Sequence, residues 1–215
     1  MRLTDFPFGD DLPRALAARI SGVVTAVVTN NQDPDKQGRV KVKFPSLSEK
    51  DESHWARIAA PMAGKERGIY FLPEVDDEVL VAFMHGDINF PYVVGALWSG
   101  KDAPPATNDD RKNNVRLIKS RSGHVVKLND EDGKETIEII DKSEKNSIVI
   151  DTAKNTITIT SDKDITLKAA NGTITLDAKE VKTKSSAKST IESGSGMDVK
   201  ASGTLNIKGS TVNIN

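Results

Sequence analysis

A pair of residues two positions apart, apolar except for Thr183 and Ser189, recurs every seven to nine residues from Ile148 to Ile214. Alternation with period two is typical of a β-strand, not of a helix. A fixed repeat predicts a solenoid or array, in which each unit buries its apolar side only against neighbouring units. The residues predicted to form the core of this array are Ile148, Ile150, Ile157, Ile159, Ile165, Leu167, Ile174, Leu176, Met197, Val199, Leu205 and Ile207.

Aromatic residues divide the chain into two parts of different kind. All ten Phe, Tyr and Trp residues lie at or before Trp98. Globular cores normally use aromatic rings for bulk, so their absence from the repeats indicates a core too narrow for a ring. We expect an N-terminal arm over 1–19, a β domain over 20–100, a Pro- and Asn-rich connector over 101–121 and the repetitive domain over 122–215.

Composition restricts the functional classes. A net charge of −1 argues against a general nucleic-acid binder, and the absence of cysteine excludes disulfides and thiolate metal sites. The N-terminus lacks the apolar run of a signal peptide, and no stretch approaches the roughly 20 apolar residues of a membrane helix. We therefore expect no cleaved export signal.

Residues 20–100 predict five or six short strands with no helix between them, which is typical of a small closed barrel. The segment 63–68 is expected to form a turn and 69–72 one of the strands. In the second predicted strand Val40, Val42 and Phe44 alternate with basic residues and should face the core. The most distinctive motifs of the domain are Gly38-Arg-Val-Lys-Val-Lys-Phe-Pro45, Trp55-Ala-Arg-Ile58, Phe71-Leu-Pro-Glu-Val-Asp-Asp-Glu-Val-Leu-Val-Ala-Phe83 and Pro91-Tyr-Val-Val-Gly-Ala-Leu-Trp98.

These motifs resemble the OB-fold domain of contractile-injection spikes, the family of phage baseplate assembly protein V and the type VI secretion VgrG proteins. The segment from Ser122 to Ile139 resembles the entry of that family into its triple-stranded β-helix. Asp76 stands where the family pattern more often has glycine, and Asp tolerates positive φ better than most residues. The resemblance implies an all-β chain: an OB-fold barrel followed by an intertwined, homotrimeric triple-stranded β-helix needle.

The resemblance also implies partners. Only about 19 residues precede the barrel, so the trimeric hub should be a separate protein, with Phe6 and Phe8 as candidate contacts. The chain stops inside the repeat pattern, and we expect exposed strand edges there to be covered. A PAAR-repeat tip protein is the cap that the resemblance implies. The candidate cap-binding residues are Val212, Asn213, Ile214 and Asn215.

Other residues with possible chemistry favour ordinary structural roles. His54, His85 and His124 have no ligand-like spacing, so neither a metal site nor a cofactor is expected. No Ser-His-Asp or Gly-x-Ser-x-Gly arrangement is present, and the run 76–78 is best explained as a turn entering a strand. The basic run 39–43 favours a solvated or partner-facing strand over a single-stranded nucleic-acid groove.

The sequence thus predicts a structural, non-enzymatic spike of a contractile tail or injection machine. It would be assembled in the cytoplasm into a baseplate or virion tail and driven through the target envelope by sheath contraction. The alternatives are a β-helical tailspike or adhesin that binds surface glycans, and an OB-fold nucleic-acid binder with a repetitive tail. The shaft has no aromatic platform for sugar, which weighs against the glycan alternative.

Overall fold

The computed structural model describes residues 19–48 and 51–214. It divides the chain into two units, Met1–Thr160 and Ser161–Asn215. The described residues contain β-strands and a single 3₁₀ turn at Met84–Gly86, with no α-helix. The all-β class predicted from the sequence is therefore confirmed.

The first sheet of the N-terminal unit has five strands and curls on itself. Its strands are β1 (Val23–Asn30), β2 (Lys41–Lys43), β3 (Arg57–Ile58), β6 (Glu78–Phe83) and β7 (Pro91–Ala96), with the hairpin β4 (Ala63–Gly64) and β5 (Arg67–Gly68) between β3 and β6. The spatial order is β2-β1-β6-β7-β3, with antiparallel neighbours except for the parallel pair β3 and β7. An antiparallel bridge between Val40 and Ala56 brings the β2 edge to the β3 edge. This topology is consistent with the OB-fold barrel.

The core of this barrel is small and mostly aliphatic. Val40, Val42 and Phe44 are at most 4% exposed, as their alternation predicts. Their side chains meet those of β6, and the rings of Phe44 and Phe83 pack with centroids 5.4 Å apart. The buried apolar residues are Ala26, Val28, Val40, Val42, Phe44, Ala56, Val79, Val81, Phe83 and Val93.

Two turns of the barrel differ in how well the sequence predicts them. Asp76 adopts a φ of 76°, so an Asp does occupy the left-handed position that the family pattern gives to glycine. The segment 63–68, expected as a plain turn, forms the hairpin β4–β5. The segment 69–72, expected as a strand, belongs to no strand.

A second sheet of the same unit is a five-stranded antiparallel meander whose neighbours are all consecutive in sequence. Every strand has five residues, and loops of four to six residues connect them. Its strands are β8 (Val115–Lys119), β9 (Val125–Asn129), β10 (Thr136–Ile140), β11 (Ser147–Asp151) and β12 (Thr156–Thr160).

The second unit contains extended segments but no strand with a partner among its described residues, 161–214. Bends interrupt the extended backbone near residues 162, 171, 179, 186, 194, 202 and 210. The bends are spaced by seven to nine residues, as are the apolar pairs of the sequence repeat. The side chains of this unit are exposed almost throughout in the single chain. The triple-stranded needle itself stays a prediction, because it requires further copies of the chain.

Candidate functional site

The loop between β1 and β2 is held by an ion-pair network that involves the predicted basic strand. Arg39 donates to Asp33 at 2.7 Å and to Asp35 at 2.6 Å, and the Asp33 side chain is only 3% exposed. The backbone N–H groups of Asp35 and Gln37 also donate to Asp33. These interactions, with the Arg39 guanidinium first, hold the pKa of Asp33 well below its usual range. The network fixes the loop against the barrel.

The aromatic face beside this basic strand is covered by the cations of the same chain. The Arg39 guanidinium lies 5.8 Å and the Lys41 ammonium 5.7 Å from the centre of the Trp55 ring. Lys41 also pairs with Glu52 at 3.3 Å. A nucleic-acid groove needs free cations and open rings for base stacking. The paired cations over Trp55 therefore favour a structural role for this strand.

The hairpin β4–β5 presents an apolar surface. Met62, Ile69, Tyr70 and Phe71 flank it, and Tyr70 is 76% exposed. The hairpin and the β1–β2 loop border a cleft of about 640 Å³. Gly68 makes the hairpin possible, because its φ is 152° and a Cβ there would lie 2.6 Å from the carbonyl oxygen of Met62. Exposed aromatic side chains next to the hairpin are suited to contact with another protein.

The meander has one almost entirely aliphatic surface, called the apolar face below. Cross-strand pairing aligns two rows of side chains on it, one running from Ile118 to Ile159 and the other from Arg116 to Ile157. Arg116, the one charged member, pairs with Asp130. The face consists of Arg116, Ile118, Val126, Leu128, Ile137, Ile139, Ile148, Ile150, Ile157 and Ile159.

The other surface of the meander, the mixed face, is polar at many positions and carries the Lys127–Glu138 pair at 3.5 Å. Along β9 and β10 the side chains of the mixed face are half-buried, whereas those of the apolar face are exposed. This distribution is the reverse of a normal sheet, which buries its apolar side. The apolar face therefore lacks its packing partner in the single chain.

The free energy available from covering the apolar face is considerable. Eight of its aliphatic side chains are 41–69% exposed, about half on average. Burying one such side chain completely contributes about 1.5–3 kcal/mol, so covering the exposed halves of all eight contributes about 6–12 kcal/mol per chain. Soluble monomers rarely leave a contiguous patch of this kind open.

The turn between β10 and β11 is stabilised by a carboxylate. Ser143 Oγ donates to both oxygens of Asp141 at 2.8 Å, and Asn146 donates from its backbone N–H and its side-chain amide. These hydrogen bonds, with that of Ser143 first, lower the pKa of Asp141 to about 2. The turn thereby holds β10 and β11 in the antiparallel pairing that places two isoleucines of each strand on the apolar face.

Serines close several bends of the second unit. Ser161, Ser185 and Ser193 each donate from Oγ to the carbonyl oxygen three residues on, and Ser193 does so at 2.6 Å. The three positions are separated by 24 and 8 residues, whole multiples of the repeat. Sequence reasoning did not single them out, although a serine recurring in phase with the apolar pairs was a usable signal.

The predicted needle-core residues fall into two groups in the structure. Ile148, Ile150, Ile157 and Ile159 lie together on the apolar face, whereas Ile165 and the later members lie on the extended segments of the second unit. The apolar face also contains residues that the prediction omitted. They are Ile118, Val126, Leu128, Ile137 and Ile139, and their period-two alternation within β8 to β10 was the signal for them.

The predicted partner contacts are only partly visible. Val212 is 48% and Ile214 is 87% exposed, and Asn213 is also exposed. Phe6, Phe8 and Asn215 lie outside the described residues. Within 19–48 and 51–214, no group of three His, Cys, Asp or Glu side chains is placed to hold a metal ion. In that same part of the chain, no helix has the length and apolar character needed to cross a bilayer.

Comparison with known proteins identifies the barrel. Residues 24–98 match the family described as the type VI secretion system/phage-baseplate injector OB domain. The chain is 39% identical over 95 residues to the type VI secretion system spike protein VgrG5 of Pseudomonas aeruginosa, a match covering 40% of this chain and 12% of the relative. It is 33% identical over 107 residues to the spike protein VgrG3 of Vibrio cholerae, covering 46% of this chain and 10% of the relative.

A third relative has a different name. The actin cross-linking toxin VgrG1 of Vibrio cholerae is 31% identical over 111 residues, which is 48% of this chain and 10% of the toxin. The chain thus spans only about a tenth of the length of these relatives. The resemblance to phage baseplate assembly protein V and VgrG proteins, predicted from the sequence, is confirmed.

Proposed function

Because the chain is VgrG-like and its residues 24–98 form an injector OB domain, we propose that it is a structural, non-enzymatic central spike of a contractile injection machine. Three identical chains form the spike. The OB domain sits on a trimeric hub, and the repeats form a triple-stranded β-helix that pierces the target envelope when the sheath contracts. A phage tail, a tailocin, a type VI system or an extracellular injection system fits equally.

One observation carries this proposal. Seven bends at about eight-residue intervals separate extended segments whose backbone has no strand partner within the described residues 161–214. Backbone N–H and C=O groups of an ordered strand need hydrogen-bond partners. Two further copies of the same chain would supply them at every level of the shaft. The exposed apolar face of the meander supports the same assembly, because it too requires a partner.

The intertwined arrangement explains how such a chain could do mechanical work. A chain whose strands pair only with other chains cannot leave without unwinding along the whole shaft. Unfolding should then be slow, so the stability of the spike would be kinetic. Force comes from the contracting sheath, and no catalytic group of this chain is needed. The toxin name of one relative concerns a protein of which this chain spans about a tenth.

The proposed partners of the spike are a hub protein and a tip protein. We propose that Phe6 and Phe8 contact the hub, and that Val212 to Asn215 bind a PAAR-repeat tip protein. Val212 and Ile214 are exposed, which supports a covering partner at this end. The spike would assemble into a baseplate inside the producing cell and then be delivered to or through the target envelope.

Solution mass tests the proposal most directly. Light scattering should give a species of about 70 kDa, three chains of 23.3 kDa each. This species should survive brief exposure to SDS at room temperature and separate after boiling. A monomer near 23 kDa would overturn the spike proposal, because one chain cannot pair the strands of the second unit.

A further inference from the structure

The needle repeats define their own alignment weakly. Shifting one chain by eight residues would bring its Met197 and Val199 to the same height as Leu205 and Ile207 of the neighbouring chains, so apolar residues would still meet apolar residues. The bends would also remain in phase, since they recur at about the same interval. Such a shift would sacrifice about one layer of contacts at an end. A strand system with near-equivalent registers is prone to slippage unless another element fixes it.

The alignment of the strands in the meander, in contrast, is uniquely defined. Its pairings β8–β9, β9–β10, β10–β11 and β11–β12 are all within the chain and run without a register shift. Each strand pairs with its sequence neighbour through a short loop, so the sheet depends on local contacts that form early in folding. A single chain can therefore build the apolar face before any needle strand finds a partner.

We propose that the apolar face is a register clamp: it docks onto the same face of two further copies and aligns the three chains before the needle winds. This inference rests on the proposed trimeric spike and adds the element that sets its alignment. The face does not repeat itself from strand to strand, because β8 carries Arg116, paired with Asp130, where the other four strands carry aliphatic residues. Three copies related by symmetry can therefore bury it in one alignment only.

Further copies of this chain fit the face better than another partner does. The chain runs directly from Thr160, the last residue of the meander, into segments that need copies of themselves for strand pairing. The aliphatic rows end at Ile157 and Ile159, immediately before those segments. The one charge of the face, on Arg116, is paired with Asp130 of the same chain. A docking protein of complementary charge has nothing further to recognise there.

Two neighbouring residues of β12 provide a matched test. Ile159 and Thr158 are both exposed in the single chain but point to opposite faces of the sheet. Ile159→Glu would place a carboxylate in the clamp, whereas Thr158→Glu would place the same group on the mixed face. Ile139→Glu repeats the test on the central strand β10, away from the needle. Tryptophan fluorescence of Trp55 and Trp98 reports in each variant whether the barrel is folded.

Alignment is measured by disulfide cross-linking, since the chain has no cysteine of its own. Val199→Cys should link two of the three chains of an aligned trimer after mild oxidation. In an aligned shaft of this kind, neighbouring strands of one face come from successive repeats of different chains, so residues 191 and 207 lie two strand spacings, roughly 9.4 Å, apart and cannot form a disulfide. Slippage by one repeat would bring them to adjacent strands, and it is detected by refolding tagged Ile191→Cys chains with untagged Ile207→Cys chains.

The parent chain and Thr158→Glu should form SDS-resistant trimers that give 199–199 links and no 191–207 links. Ile159→Glu and Ile139→Glu should lower the trimer yield more than tenfold, or produce 191–207 links, while the barrel stays folded. Trimers of both face variants with only 199–199 links would overturn the clamp, including the case in which another protein covers this face. A monomeric parent chain would instead overturn the proposed spike itself.

Discussion

The substitution Ile157→Ala tests how much the apolar face contributes to assembly. Ile157 is 69% exposed in the single chain, so self-association can bury about two thirds of its side chain. Full burial of an isoleucine contributes about 1.5–3 kcal/mol, which gives about 1–2 kcal/mol per chain at this site. Three copies give about 3–6 kcal/mol per trimer. The trimer dissociation constant should therefore rise by about 10² to 10⁴, at about 1.4 kcal/mol per factor of ten.

The assay is urea unfolding followed by circular dichroism at a low and a high protein concentration. Ile157→Ala should lower the midpoint at both concentrations, and the midpoints of parent and variant alike should rise with protein concentration, because dissociation and unfolding are coupled. Thr156→Ala is the control: it lies next to Ile157 on β12, on the mixed face, and also loses a β-branched side chain. Equal, small effects of the two substitutions would refute burial of the apolar face by self-association.

Three further predictions concern the turns and the repeat. The folded-state pKa of Asp141 is below its ordinary value of 3.8, so its stabilising effect should be complete above about pH 4 and be lost as the pH falls toward 2. Acid titration of Asp141→Asn should lack that part of the stability change; an unaltered acid transition would contradict it. Gly68→Ala should destabilise the barrel by about 1–3 kcal/mol in thermal unfolding, since its Cβ would meet the Met62 carbonyl, and a neutral effect would show that the hairpin relaxes freely. Deleting residues 185–192 should preserve an SDS-resistant trimer whose shaft is shorter by roughly 4.7 Å, because Ser193 then takes the bend position of Ser185. Deleting residues 185–188 should abolish the trimer, and equal tolerance of both deletions would contradict an eight-residue unit.

The barrel was the part of the fold most accessible to sequence reasoning. Val40, Val42 and Phe44 were predicted to face the core from alternation alone, and they are buried. The hairpin β4–β5 was missed because its strands have two residues each, too few to show any alternation. Tyr70 and Phe71, which follow the hairpin, favoured a strand over 69–72, but the backbone there has no partner strand.

The boundary between meander and repeats was less accessible for a physical reason. Alternation reports only which side of a strand is apolar, and it does so equally for Ile157–Ile159 in the meander and Ile165–Leu167 in the second unit. It does not report whether the neighbouring strand belongs to the same chain. The connectors carry that information: loops of four to six residues reverse the chain between the hairpin strands β8 to β12. Bends as short as those of the second unit could reverse a strand only through turns that need positive φ, and no described residue of that unit has a positive φ.

The two kinds of connector give the two parts of the repeat pattern different roles in the assembly of a stable spike. Strands that pair within the chain, as β8 to β12 do, form quickly and independently of concentration, but they can also open one chain at a time. Strands that pair only between chains form slowly and dissociate only when three chains unwind together. Placing the first kind directly before the second lets alignment be fixed while contacts are still reversible. The proposed needle then locks an arrangement that is already in register, and for this reason substitutions on the apolar face should impair assembly more than equally conservative changes within the repeats.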